Sequence, residues 1–222
     1  MSRHPAPEEL LLDYATGSLA HGPALAVALH VALDPMARRM VERLAALGGV
    51  LIEGEAPFTQ EGADLDEAAL QRTLARLDGL AVEPRPAPYE RPPGFEWAPA
   101  PLARHLGADA RWRRVLGGFE EIRLHLPGDS HRVSLLRLSP GRGLPVHRHV
   151  GTEYTVVLQG GYTDATGNYV VGDFAVGPGP EQHQPIADPG PPCIALIVIE
   201  KPIVLTGPIG RWLNPLVRRD LI

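Results

Sequence analysis

"GRGLPVHRHVGTEYTVVLQGG", residues 141–161, decides the fold. His147 and His149 stand two apart, so on a strand both imidazoles leave the same face. Gly151 permits a bend, after which Glu153 can project from the next strand toward the same point. A valine-rich run follows and stops at Gly160-Gly161. Closing a four-donor site needs one more residue. His183, in "GPGPEQHQP" (177–185), follows a turn at the end of another strand and supplies it. Three imidazoles and one carboxylate suit Zn²⁺, and also Fe, Mn, Ni or Cu.

Outward from this stretch, the chain beyond residue 112 is a series of short β runs. "EIRLHL", "RVSLLRLS", "TEYTVVLQG", "YVVGDFAVG" and "CIALIVIEKPIVL" are separated by Gly- and Pro-containing turns. Such spacing predicts an antiparallel sandwich or small barrel. The first third reads differently. Residues 7–78 are rich in Ala and Leu with helical periodicity. A first helix should stop near Gly17, and residues 23–33 form an apolar second helix. A third, over 35–53, starts on Pro35 and keeps Met36, Met40, Leu44 and Leu47 on one stripe and Arg38, Arg39 and Arg43 on another. A fourth, over 64–79, has an acidic first turn and a Gly stop. Residues 84–101, "PRPAPYERPPGFEWAPAP", are proline-dense and read as a semi-rigid, extended linker. The expected organisation is α+β in two domains: a four-helix domain at 1–83, a linker at 84–104 and a β domain at 105–222.

The 222 residues carry a formal charge of −5 and no long basic run, which argues against direct nucleic-acid binding. No apolar stretch reaches about 18 residues and no signal peptide is apparent, so the reading is cytoplasmic with no membrane span. The single cysteine, Cys193, excludes an intrachain disulfide and sits in the apolar strand "PPCIALIVI", where it reads as a small buried hydrophobe.

Gly141, five residues, His147-x-His149, three residues, Glu153, six residues, Gly160: this spacing resembles the first motif of the cupin superfamily. Gly172, Pro178 and His183 resemble the second, with Pro180 in place of the usual glycine and Ala187 where an asparagine often stands. The resemblance implies an antiparallel β-barrel with a divalent metal in its mouth, held by His147, His149, Glu153 and His183. Zinc is the first expectation, with Fe, Mn or Ni suiting the same donors.

The first third, "RHPAPEELLLDYATGSL" and "ALAVALHVALDPMARRMVERLAALGGVLIE", resembles the zinc-binding anti-sigma domain of ChrR-type anti-sigma factors, in which a four-helix domain precedes a cupin. That family carries His-x-x-x-Cys-x-x-Cys and an N-terminal histidine around one zinc. Here His4 and His30 are kept, Asp34 stands at the first cysteine position and Ala37 at the second. His4, His30 and Asp34 are therefore candidates for a second, incomplete metal site. Ordinary readings stand beside this one: His30 as a satisfied core histidine, Asp34 as the N-cap of the third helix, His4 as a terminal residue. The resemblance implies an extracytoplasmic-function sigma factor as partner, with the cupin as a stress or ligand sensor and no catalytic residue. Two alternatives remain. One is a cupin metal-dependent dioxygenase, with Tyr154, Tyr162 and Gln182 lining its pocket. The other is a stand-alone metal-binding cupin, with a homodimer formed through the helices.

Overall fold

The computed structural model describes residues 2–54, 67–80, 91–115, 118–177, 181–207 and 210–218. Pro178, Pro180 and the 84–90 part of the proline-dense segment lie outside them. Helix α1 (Glu8–Thr16) stops at Gly17 as expected. Helix α2 (His21–Leu33) is apolar all round, and such a helix has to be covered on every side. Leu25, Ala26, Val27 and Leu29 are all buried. α1 and α3 (Pro35–Gly54) cover one side of α2, and β strands cover the other. The Asp129 carboxylate, from the β part of the chain, accepts the Gly22 N–H and so places negative charge at the α2 N-terminus. The helix can approach this closely because residue 22 is glycine. A Cβ there would stand 3.0 Å from Val133 Cγ2 and 3.1 Å from Val198 Cγ1.

The expected stripe on α3 divides. Met40 and Leu44 pack against the core, while Met36 and Leu47 are 51% and 56% exposed. Helix α4 (Glu67–Asp78) buries no residue. The four helices over 8–78 therefore do not make one four-helix bundle: α1, α2 and α3 share the core, and α4 does not. Two short helices lie elsewhere among the described residues, α5 (Ala100–Ala103) and α6 (Asn214–Arg218), the second preceded by a 3₁₀ turn at Gly210–Leu213.

The β part contains β1 (Arg113–Arg114), β2 (Glu120–Leu124), β3 (Arg132–Leu138), β4 (His147–Arg148), β5 (Glu153–Gln159), β6 (Gly161–Asp164), β7 (Gly167–Val170), β8 (Phe174–Val176), β9 (Ile186–Ala187), β10 (Cys193–Ile199) and β11 (Val204–Leu205). Its largest sheet has the order β1-β2-β3-β10-β5-β8, antiparallel throughout. Alternate residues face opposite sides. Leu135, Val156, Leu196 and Val198 join the core shared with the helices. Ser134, Thr155, Ala195 and Ile197 face the β interior. Burial on both faces explains why "CIALIVI" and "TVVL" read as continuous apolar runs rather than alternating ones. The opposing wall is a β7-β6-β9 sheet and a β11-β4 pair. The expected barrel is thus built of three hydrogen-bonded sheets tied by bridges at Gly143–Ile186 and His147–His183, not one closed cylinder.

The proline-dense segment also departs from expectation. Phe95, Ala98, Leu102, Ala103 and Leu106 are buried in the same core as α1 and α2. Over 91–106 the chain is folded core, not an extended spacer. Pro99 caps α5 and a proline occupies its first turn, where the missing N–H costs nothing. The helical and β parts accordingly have one continuous hydrophobic cluster between them.

One buried charge in the large sheet has a measurable consequence. Burial would push the Glu121 carboxyl up. Hydrogen bonds from Arg132 Nη2 (2.9 Å), Ser134 Oγ (2.7 Å) and Arg113 Nη2 (2.8 Å) outweigh it and hold the group down at about 2. A carboxyl depressed below its unfolded value stabilises the fold above about pH 4.5 and loses that contribution as pH falls through 2. Glu121→Gln should therefore flatten the fall in thermal stability between pH 4.5 and 2. Equal slopes in the two proteins would show that the arginines do not stabilise the carboxylate.

Candidate metal centre

β4 and the segment before β9 run antiparallel. His147 N–H donates to His183 O (3.2 Å) and His183 N–H donates to His147 O (3.0 Å), which sets the two imidazoles side by side. His149, two residues on from His147, leaves the same face. All three histidines are buried, and one ring nitrogen of each lies within 4.8 Å of the others'. His183 Nε2 stands 3.1 Å from His147 Nε2 and 2.9 Å from His149 Nε2. Glu153, the first residue of β5, reaches His149 Nδ1 with Oε2 (3.3 Å) and accepts the Thr155 hydroxyl at Oε1 (3.0 Å). The structure therefore brings the three histidines into one cluster and puts Glu153 beside His149, outside their circle of nitrogens.

The outer nitrogens assign the protons. Pro145 O can only accept, so His147 Nδ1 donates to it (2.8 Å). His183 Nδ1 faces the Asp164 carboxylate at 3.1 Å. The Asp164 carboxyl would be raised by burial, but Thr166 and His183 hold it below the usual range, so it stays an acceptor. With Nδ1 as the outward donor of each ring, the neutral form of both histidines turns an Nε2 lone pair toward the centre. Two such lone pairs 3.1 Å apart repel unless a proton or a metal ion lies between them. Burial, above all, pushes His147 down to about 4 and His149 to about 3, which favours neutral, metal-ready imidazole over imidazolium. Burial likewise raises Glu153 to about 7. Converging Nε2 atoms backed by a carbonyl and a carboxylate on Nδ1 form the usual surroundings of histidine metal ligands. The donor set fits a divalent metal.

Comparison with known proteins agrees with this geometry. The family described as "ChrR Cupin-like domain" matches residues 105–201. The anti-sigma-E factor ChrR of Cereibacter sphaeroides is 34% identical over 219 residues, covering 97% of this chain and 98% of that protein. The chain belongs to the ChrR family of anti-sigma factors. The crystal structure of Rhodobacter sphaeroides SigE in complex with the anti-sigma ChrR is similar at a TM-score of 0.71, with 34% identity over 89% of this chain and 98% of that one.

In this ChrR-family chain, His4, His30 and Asp34 are not brought together as ligands. His30 is fully buried, accepts the Ala6 N–H at Nε2 (3.1 Å) and donates from Nδ1 to Gly172 O (2.8 Å). Asp34 Oδ1 accepts the N–H groups of Met36 (2.7 Å) and Ala37 (3.0 Å), capping α3, while Oδ2 accepts the Ser2 N–H (2.8 Å) and hydroxyl (2.5 Å). Burial would raise the Asp34 carboxyl, but these four donors hold it well below the usual range. His4 lies on Tyr169 and contacts Asn168 O (3.2 Å). The ordinary readings of Asp34 and His30 are the ones realised, since no lone pair on either is left for a metal. The same N-terminal segment is stitched to the β part. Asp173 Oδ1 accepts the Arg3 and His4 N–H groups, and Phe174 N–H donates to His4 O (2.8 Å).

Asp164 and Pro145 were not legible as parts of the centre. Asp164 Oδ1 accepts the Thr166 N–H (2.8 Å), a turn role that accounts for an aspartate before Ala-Thr-Gly. Its second oxygen carries the role toward His183. Of the residues expected to line a pocket, Tyr162 faces the β interior, Tyr154 faces the core shared with the helices, against Phe174, and Gln182 is exposed. Cys193 is buried, its thiol pushed up to about 12 by burial, so it is no reactive thiolate.

Proposed function

We propose that the chain is an anti-sigma factor that sequesters an extracytoplasmic-function sigma factor through its helices, while a metal-binding cupin acts as the sensor of stress or ligand. The observation that carries the partner is an apolar stripe that runs off the core. On α3, Leu47 and Leu51 continue the line of Met40 and Leu44 but are 56% and 63% exposed. On α4, Leu70, Leu74 and Leu77 recur at helical spacing and are exposed as well. Uncovered apolar faces of this kind mark protein interaction sites, and the related ChrR was crystallised in complex with SigE. A strongly basic surface, which nucleic acid would need, is absent from the composition. Among the described residues no single helix is long and apolar enough to cross a membrane, which supports a cytoplasmic encounter with the sigma factor.

In this reading the helices of 1–83 are the grip and residues 105–222 the sensing barrel. His147, His149 and His183 hold the metal through Nε2, with Glu153 as the carboxylate of the same centre. A bound divalent metal would supply a Lewis-acidic coordination position. β5 connects centre and grip. Glu153 and Thr155 face the β interior, while Tyr154 and Val156 on the same strand face the core shared with α2. A displacement of β5 at the centre is therefore felt by α2 without any intermediary.

The test is co-purification with an extracytoplasmic-function sigma factor of the same organism. Wild type should form a complex. Leu47→Glu with Leu51→Glu should weaken it by about 100-fold or more, since two central anchors cost about 2 kcal/mol each, with metal content and thermal stability unchanged. No complex for wild type under any metal condition would sink the proposal.

A further inference from the structure

The β interior holds a cavity of about 150 Å³ directly beside the histidine cluster, with His147, His183 and Glu153 in its wall. Its remaining surface is largely apolar, formed by residues such as Phe119, Leu136, Leu144, Ile197, Leu205 and Val217. Asn214 closes one side by gripping the Leu205 backbone in both directions, accepting its N–H (2.8 Å) and donating to its carbonyl (3.0 Å). That places Val217 of α6 against the cavity, where it is 6% exposed. An apolar cavity of about this volume takes up benzene-sized molecules. The charged wall residues Glu121 and Arg132 are paired with each other at 2.9 Å. An anionic ligand would thus find no free counter-charge there beyond a metal.

We infer that this cavity is a receptor site for a small neutral molecule, with an apolar body of about six carbon atoms and one uncharged oxygen donor, a ketone or alcohol, directed at the metal. The oxygen end of this inference rests on the metal-centre reading, and the apolar end does not. Ligand arrival occupies the interior face of β5 and β10, whose opposite face is the core shared with α2. Binding is therefore registered on the strands that carry the helices.

The probes are benzene, cyclohexanone, hexanoate and naphthalene, titrated calorimetrically into the full chain with its metal content measured. Benzene should bind. Cyclohexanone should bind at least about tenfold tighter when one metal per chain is present, the increment of one good donor contact. Hexanoate and naphthalene should bind at least about tenfold more weakly than cyclohexanone. Ala195→Leu, which fills the cavity from β10, should remove benzene and cyclohexanone binding alike while leaving metal content intact. Ile197→Phe, two positions along the same face, repeats the test if the first variant does not fold. Failure of benzene and cyclohexanone to bind metal-loaded protein, or naphthalene binding as tightly as benzene, would overturn the inference. So would cyclohexanone binding no tighter than benzene at one metal per chain. If the protein takes up no metal, the metal-centre reading fails by itself, and benzene binding with loss in Ala195→Leu still supports the apolar site.

Discussion

His30→Ala should lower the melting temperature by roughly 6–16 °C without reducing metal content. The imidazole is fully buried and bridges two parts of the fold that lie far apart in sequence. Truncation leaves the Ala6 N–H and the Gly172 carbonyl without their partner in a region closed to water, at about 1–3 kcal/mol each. It also removes the edge-to-face contact with Phe174, whose ring centre lies 5.5 Å away. A total of about 3–4 kcal/mol corresponds to that shift for a chain of this size, at about 2–4 °C per kcal/mol. Differential scanning calorimetry reads it directly. Because the helical and β parts share one core, the transition should stay single and move as a whole. A drop below about 3 °C, or a loss of one metal per chain, would contradict the assignment of His30 as a structural bridge.

Elemental analysis of the chain purified without added metal should find about one divalent ion, and His147→Ala should reduce this to near none. One ring nitrogen of each of the three histidines lies within 4.8 Å of the others', so removal of one ring opens the centre on the side toward His183. Asp164→Asn is the graded companion. It keeps the contact to His183 Nδ1 but removes the negative charge, and loss of such an outer partner costs about 10–100-fold in metal affinity. His147→Ala should cost more than that. A content of two ions per chain would mean that His4, His30 and Asp34 bind a metal after rearranging the hydrogen bonds they now make. Full metal occupancy in His147→Ala would overturn the centre itself.

Most of the centre was legible because its spacing is local. His147, His149 and Glu153 lie within seven residues, and strand alternation alone puts the two histidines on one face. His183 could be added because a turn precedes it. What stayed hidden depends on contacts between distant residues. The composition of α2 shows that it is buried, but not that a β-sheet covers it; Gly22 against Val133 and Val198 is invisible without the fold. Prolines 92, 93, 99 and 101 suggested an extended linker, yet Phe95, Leu102 and Leu106 between and beyond them are core residues. Proline restricts the backbone locally and says nothing of where its neighbours are buried. Asp164 was masked by its second occupation as a turn former. Asp34 caps α3 for a reason the sequence did hint at: an aspartate before proline at a helix start is a good cap, and capping occupies the carboxylate.

The bridge from His30 to Gly172 spans 142 residues of chain. A ribosome adding about 5–20 residues per second makes the histidine roughly 7–30 s before it makes its partner. At that point α2, apolar on every side, still lacks β10, one of the two strands that pack on it. The helical part is therefore made first and finished last, by strands of the β part. A chain cut short before Gly172 would lack both the acceptor for His30 and β10, and would leave α2 incompletely covered.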